Sequence, residues 1–264
     1  MNESRTSVDE IADGIYRIST PVPPSAASGG FTFNQYLIRD EAPLLFHTGP
    51  RKMFDAVREA IDRVLPVESL RYVSFSHVEA DECGSLNRFL ALAPRAEPLC
   101  GRVAAMVSIG DLADRAPVAL GDGESLSLGR HEVRWHDTPH LPHGWECGFL
   151  SETTTRTLLC GDLFTQFGDR HPALTGSDIL EPSEAGRQKM DYYAHAPDTG
   201  VLLEKLADTA PSPGPAGVAQ SSRLSKRSIE NGPPPFATKT SVIIAHRIDF
   251  SAPASPCPWT TQWK

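Results

Sequence analysis

The chain has 264 residues, of which 40% are hydrophobic and 22% are charged, an ordinary balance for a globular protein. Its formal net charge of −8 argues against a nucleic-acid-binding surface, because phosphate binding needs a basic face. No apolar run approaches the roughly 18 residues of a membrane span, and the N-terminus lacks the basic and apolar regions of a secretory signal. We therefore expect a cytoplasmic protein that binds neither nucleic acid nor membrane.

The five cysteines are widely spaced and include no C-x-x-C pair. This spacing gives no support to a thiolate zinc knuckle, and it predicts reduced, mostly buried thiols.

The charge changes sign near residue 210. Residues 211–264 carry six Lys or Arg and two Asp or Glu, a net charge of +4, whereas residues 1–210 carry 19 basic and 31 acidic residues, a net charge of −12. The same tail holds nine of the 23 prolines. We predict a metal-binding domain over 1–210 and an atypical Pro-, Ser- and Arg-rich segment over 211–264. Partial disorder or a frameshift in the gene are two hypotheses for that segment.

Hydrophobic periodicity predicts strands and helices in alternation along residues 1–210. Strands are predicted at 11–20, 31–39, 42–47, 70–75, 97–101, 117–120, 124–128, 131–137, 146–151 and 156–160. Helices are predicted at 54–65, 84–92, 103–109 and 198–207. This order favours an α/β sandwich of two mixed sheets covered by helices. In the tail only 240–245 has a convincing strand pattern, and His246 follows it.

Potential metal ligands follow three of the predicted strands. His77, Glu79 and Asp81 alternate directly after the strand at 70–75. Further candidates are His140 or His143 after the strand at 131–137, and Asp162 after the strand at 156–160. Loops at one edge of a sandwich can converge on one cleft, so these side chains predict a metal site.

The ligand types narrow the choice of metal. Imidazole nitrogen with several carboxylate oxygens and no thiolate suits iron or manganese and permits zinc. Glu79 at the middle of the motif moves the balance towards oxygen-rich coordination. Asp162 could bridge two ions, which would activate O₂ if they are iron or water if they are zinc.

These motifs resemble the metallo-β-lactamase superfamily, which carries a His-x-[His/Glu]-x-Asp loop, a later His after a Thr-Pro step, and a Gly-Asp. Glu79 makes the chain similar to the di-iron branch, the flavodiiron proteins and their oxygen-binding relatives. In that branch 18 residues separate the later His from the Asp. His143 and Asp162 have 18 residues between them, whereas His140 would leave 21, so His143 is the preferred ligand and His140 the alternative.

The resemblance implies an αββα sandwich with a metal site at one edge. It also implies that His77, Glu79 and His143 hold one iron, that Asp81 helps to hold a second, and that Asp162 bridges the two ions. Zinc or manganese are the alternative metals.

Two features depart from the family pattern. Glu82 stands where the family commonly has a histidine directly after the motif Asp. A last histidine is expected near 217–227, where the chain has none, and His246 is a possible replacement. These departures put the second metal position in doubt.

Three functions remain open from the sequence. The first is a non-haem di-iron protein that binds or reduces O₂ or NO. Since no flavodoxin-like domain follows the core, its electrons would come from a flavin-containing reductase in trans. The second is a hydrolase that attacks a small ester, thioester or lactam with a metal-bound hydroxide. The third is a defective or single-metal member. By resemblance to the di-iron branch, a homodimer is also expected.

Overall fold

The computed structural model describes residues 6–22, 30–177 and 179–209. His246, the predicted strand at 240–245 and the whole segment 211–264 lie outside the described residues.

Seven strands form the first sheet, arranged side by side in chain order. They are β1 (Ser7–Ala12), β2 (Ile15–Val22), β3 (Phe31–Ile38), β4 (Leu44–Phe46), β5 (Tyr72–Ser74), β6 (Glu97–Gly101) and β7 (Val118–Leu120). Strands β1 to β4 pair antiparallel, and β4 to β7 pair parallel. The parallel half therefore needs crossover connections, which the helices provide.

Four antiparallel strands form the second sheet, in the order β11, β10, β9, β8. They are β8 (Ser125–Ser127), β9 (Glu132–Asp137), β10 (Gly148–Glu152) and β11 (Thr157–Leu159).

The helices are short. They are α1 (Phe54–Ile61), α2 (Ala80–Cys83), α3 (Leu86–Leu92), α4 (Arg102–Ala104), α5 (Gly110–Leu112), α6 (Leu180–Met190) and α7 (Thr199–Thr209). One π-helical turn, Ala105–Ile109, joins α4 to α5, and a 3₁₀ helix, Gly161–Phe164, follows β11. Within the described part of the chain, no helix is both long and apolar enough to cross a bilayer.

The core has two layers because β4 is buried on both faces. Phe46 joins an inner cluster that contains Trp135 of β9, so this cluster lies between the two sheets. Leu45, on the opposite face of the strand, joins an outer cluster with Phe89 of α3. Leu206 of α7 also packs into the inner cluster. The predicted fold class, an αββα sandwich of two sheets flanked by helices, is confirmed.

Two local features differ from the prediction: a hairpin near residue 14 and helix α6. The strand predicted at 11–20 is a hairpin of β1 and β2, because Gly14 adopts a φ of +69° and reverses the chain. The helix predicted at 84–92 corresponds to α3, and the separate short helix α2 ends just before that range. Helix α6 was not predicted, since its sequence is polar, contains Pro182 and lacks an apolar stripe.

Candidate metal centre

His77 follows β5 and is 1% exposed. Its Nδ1 atom lies 2.9 Å from the Ser76 hydroxyl oxygen, which in turn lies 3.1 Å from Nε2 of His47. The His77 Nε2 atom is buried and makes no hydrogen bond to any described residue. A buried nitrogen without a partner is costly, so this atom can bind a group from outside the described residues.

The hydrogen bonds from His77 through Ser76 to His47 form a relay, and His47 determines which atom donates in each of them. The Ser76 amide donates to His47 Nε2 at 3.3 Å, so that nitrogen is an acceptor. Burial, together with the nearby His77, holds the pKa of His47 well below its usual range, which keeps the ring neutral. The Ser76 hydroxyl can then donate to His47 and accept from His77 Nδ1–H. This arrangement leaves the Nε2 lone pair of His77 available for a metal ion.

His143 lies in the loop between β9 and β10. Its Nδ1 atom donates to the backbone carbonyl of Tyr192 at 3.0 Å, so its Nε2 atom also carries a lone pair. His140, in the same loop, is exposed and has a φ of +64°; its amide donates to the Gly144 carbonyl. The structure thus places His143 in the cluster described below and His140 outside it.

Asp162 lies in the 3₁₀ helix after β11 and is 1% exposed. Gly161 makes this position possible. It has a φ of +44°, and a Cβ atom there would lie 2.6 Å from the Ser76 hydroxyl oxygen. The Tyr192 hydroxyl donates to the Asp162 carbonyl at 3.0 Å and anchors the same turn.

Four predicted ligands, His77, Glu79, His143 and Asp162, offer atoms that all lie within 4.8 Å of one another. The Nε2 atom of His143 is 3.0 Å from Glu79 Oε1 and 3.7 Å from Asp162 Oδ2. The corresponding distances from His77 Nε2 are 3.7 and 3.9 Å. Ligand atoms that share an ion at roughly 2.1 Å lie about 3.0–3.5 Å apart. Two imidazoles and two carboxylates at these distances fit a divalent transition metal.

The electrostatics of the cluster favour a positive charge. Burial opposes protonation of His77, but the Glu82 carboxylate and the contact with Glu79 raise the pKa of His77 well above its usual range. Burial and the neighbouring Asp162 likewise raise the pKa of Glu82 well above its usual range. A bound cation would relieve both effects, since it supplies the positive charge directly.

Asp81 lies in a second group of acids. Glu79, Asp81 and Glu82 offer oxygens that all lie within 4.8 Å of one another, so Glu79 belongs to both groups. The predicted ligands therefore form two adjacent sets, except for His246, which lies outside the described residues.

Two functional contacts were not predicted. The Ser76 hydroxyl orients His77, and the Tyr192 carbonyl orients His143. Ser76 directly precedes the first ligand, and this position is a signal in the sequence for a hydroxyl that could orient His77. A backbone carbonyl 49 residues from its partner leaves no signal in the sequence.

Comparison with known proteins identifies the family. The family model described as ODP family beta lactamase matches residues 31–193, which is more than half of the chain and includes all four clustered ligands. The chain belongs to the ODP beta-lactamase family. This family lies in the di-iron branch of the metallo-β-lactamase superfamily, so the resemblance drawn from the motifs is confirmed.

Individual relatives of this ODP chain are flavodiiron-type proteins. It is 27% identical over 200 residues to rubredoxin-oxygen oxidoreductase of Megalodesulfovibrio gigas, covering 70% of the chain and 47% of that protein. It is 25% identical over 211 residues to nitric oxide reductase of Moorella thermoacetica, covering 74% and 51%. The solved flavodiiron core of Flv1 from Synechocystis matches its fold with a TM-score of 0.65 at 23% identity, covering 77% and 53%. The chain spans about half the length of these relatives.

Proposed function

We propose that this chain is the metal-binding part of a non-haem iron oxidoreductase that reduces O₂ or NO with electrons from an external donor. The observation that carries the proposal is the cluster of His77, Glu79, His143 and Asp162, with both imidazoles oriented to present Nε2. The activities named for its relatives, reduction of oxygen and of nitric oxide, support the same reaction class. A flavin-containing reductase in trans is the proposed electron donor.

The side chains of the cluster would divide the work of holding the metal. His77 and His143 would bind through neutral nitrogen, while Glu79 and Asp162 would contribute two negative charges that balance a divalent ion. Ser76 and the Tyr192 carbonyl fix the orientation of the two rings. Redox-active iron bound here would supply the one-electron chemistry that amino acids alone lack.

A cavity beside Glu79, one of the four ligands, is compatible with a small substrate. An open cavity of about 420 Å³ borders Glu79, and its lining includes Val78, Leu86 and Ile109. O₂ and NO are small and weakly polar, so a partly apolar approach beside a ligand suits them.

The first test is metal binding. After anaerobic reconstitution with Fe²⁺ and desalting, we expect the wild-type chain to retain iron and His143→Ala to lose most of it. The matched control is His140→Ala, which removes an exposed histidine from the same loop and should keep wild-type iron content. Equal retention by all three proteins would contradict the ligand assignment.

The second test is turnover. With a reductase and its reductant, the iron-loaded chain should consume O₂ or NO, and His77→Ala should not. A wild-type protein that consumes neither gas but hydrolyses esters, thioesters or lactams in a chelator-sensitive manner would overturn the proposal in favour of the hydrolase.

A further inference from the structure

Glu82 occupies an unusual position beside the candidate metal centre. It lies in α2, is 1% exposed, and its Oε2 atom makes no hydrogen bond to any described residue. Its backbone carbonyl accepts hydrogen bonds from the Thr48 amide and hydroxyl, at 2.7 and 3.2 Å, which hold this turn in place. A buried carboxylate oxygen without a partner is costly, and a cation bound beside it would offset that cost.

The surroundings of Glu82 are acidic. The charged groups with the largest influence on the pKa of Glu82 are Asp162, His77 and Asp81. Oxygens of Glu79, Asp81 and Glu82 lie within 4.8 Å of one another. The nitrogen ligands His77 and His143 present their Nε2 atoms to Glu79 and Asp162 in the first set.

The two sets therefore differ in donor chemistry. The first combines two imidazole nitrogens with two carboxylates, which suits iron or zinc. The second offers carboxylate oxygen alone from the described residues, which suits hard cations such as Mn²⁺, Mg²⁺ or Ca²⁺.

We propose that Asp81 and Glu82, with Glu79 shared between the sets, form a position that takes a hard divalent cation next to the nitrogen-containing position. It is called the all-oxygen position because its candidate ligands among the described residues are all carboxylates. The centre would then hold two different metals. The inference rests on the proposed function only in that it assumes a transition metal at the first position. The feature that carries the inference is the buried carboxylate of Glu82 beside the acidic groups of Glu79 and Asp81.

Mn²⁺ is the probe for the test, because its paramagnetic resonance signal reports free and bound ion separately. The full-length chain is first loaded with one equivalent of Zn²⁺, which nitrogen ligands bind more tightly than they bind Mn²⁺. Mn²⁺ is then titrated in. We expect one Mn²⁺ per chain to bind to the wild-type protein, and Glu82→Gln to weaken that binding roughly tenfold or more.

Two variants sharpen the test. Glu82→His supplies nitrogen in place of oxygen, so it should weaken Mn²⁺ binding and strengthen binding of a second Zn²⁺. Glu59→Gln removes an exposed carboxylate on α1 and should change neither. If the wild-type chain binds no Mn²⁺, or if Glu82→His binds Mn²⁺ as tightly as the wild type, the proposal is overturned.

Failure of this inference can be separated from failure of the proposed function. Binding of the first Zn²⁺ depends on His143 and not on Glu82. A chain that binds the first Zn²⁺ but no Mn²⁺ contradicts only the all-oxygen position. A chain that binds Mn²⁺ in a Glu82-dependent manner but no Zn²⁺ supports that position and contradicts the first.

Discussion

His77 and His143 reach the same cluster of ligand atoms, but different kinds of partner hold their rings. A side-chain relay through Ser76 and His47 orients His77, in surroundings closed to solvent. A backbone carbonyl orients His143, whose side chain is 17% exposed. A carbonyl is present whatever residue occupies position 192, whereas the relay exists only with suitable side chains. The orientation of His77 is therefore open to change by substitution, and that of His143 depends on where the chain places residue 192.

The largest expected effect comes from breaking the relay. Ser76→Ala removes the oxygen that accepts from His77 Nδ1, so the ring loses its fixed tautomer. We expect metal affinity to fall roughly 10- to 100-fold, the range found when such partners are removed. A competition titration against a chromophoric chelator measures it.

The matched control for Ser76→Ala is Ser85→Ala. Ser85 is equally buried, but its hydroxyl oxygen makes no hydrogen bond to the described residues. Its removal should leave metal affinity unchanged. Equal losses in the two variants would mean that packing, and not the relay, orients His77.

A buried histidine outside the cluster sharpens the comparison. His136 also contacts a serine hydroxyl, with Nε2 2.8 Å from Ser151 Oγ, yet its charged neighbours differ from those of His77. Burial and then Lys205 lower the pKa of His136 to about 4. The unfolded chain takes up this proton near pH 6.5 and the folded chain only near pH 4. Stability supplied by a neutral His136 is therefore present above pH 6.5 and is lost as the pH falls towards 4.

Thermal unfolding between pH 7 and pH 5 tests that difference. His136→Gln should lose less stability over this interval than the wild type, by about 1–2 kcal/mol. His140→Gln, which removes an exposed histidine, should follow the wild-type curve. Parallel curves for His136→Gln and the wild type would contradict the depressed pKa.

The smallest expected effect on metal binding comes from Tyr192→Phe. The change removes the hydroxyl that donates to the Asp162 carbonyl but keeps the carbonyl that holds His143. Stability should fall by about 1 kcal/mol, the usual net value of one hydrogen bond. Metal affinity should fall by less than in Ser76→Ala.

Tyr193→Phe is the control for Tyr192→Phe. It deletes a comparable hydroxyl, which donates to the backbone carbonyl of Leu163 at 2.7 Å. A larger loss of metal affinity in Tyr192→Phe than in Ser76→Ala would reverse the comparison between the two histidines.

The two histidines also show which parts of the site could be predicted from the sequence and which could not. The alternating ligands at 77, 79 and 81 and the 18-residue spacing before Asp162 are local or family patterns, so they were visible without a structure. The side chains that orient these ligands are not all close to one another in the sequence. Ser76 and His47 are 29 residues apart, and only the parallel pairing of β4 with β5 brings them together.

Helix α6 was missed for a related reason. Its own residues show no apolar stripe, and its few buried positions, Ser183 and Gly186, are small. Tertiary packing, and not intrinsic pattern, stabilises it. The hairpin at Gly14 was missed because the apolar residues on both sides of the turn look like one strand.

The placement of the ligands between the two sheets has a mechanical consequence. His77 extends from the end of β5 in the first sheet, whereas His143 and Asp162 belong to loops of the second. Hydrogen bonds already join these edges: the Gly148 amide donates to the Ser76 carbonyl, and the Val78 amide donates to Glu146 Oε1. An ion held by all three side chains would act as a non-covalent cross-link between the layers. Metal supply would then set how firmly the sandwich is closed, and a metal-starved chain would open first at this edge.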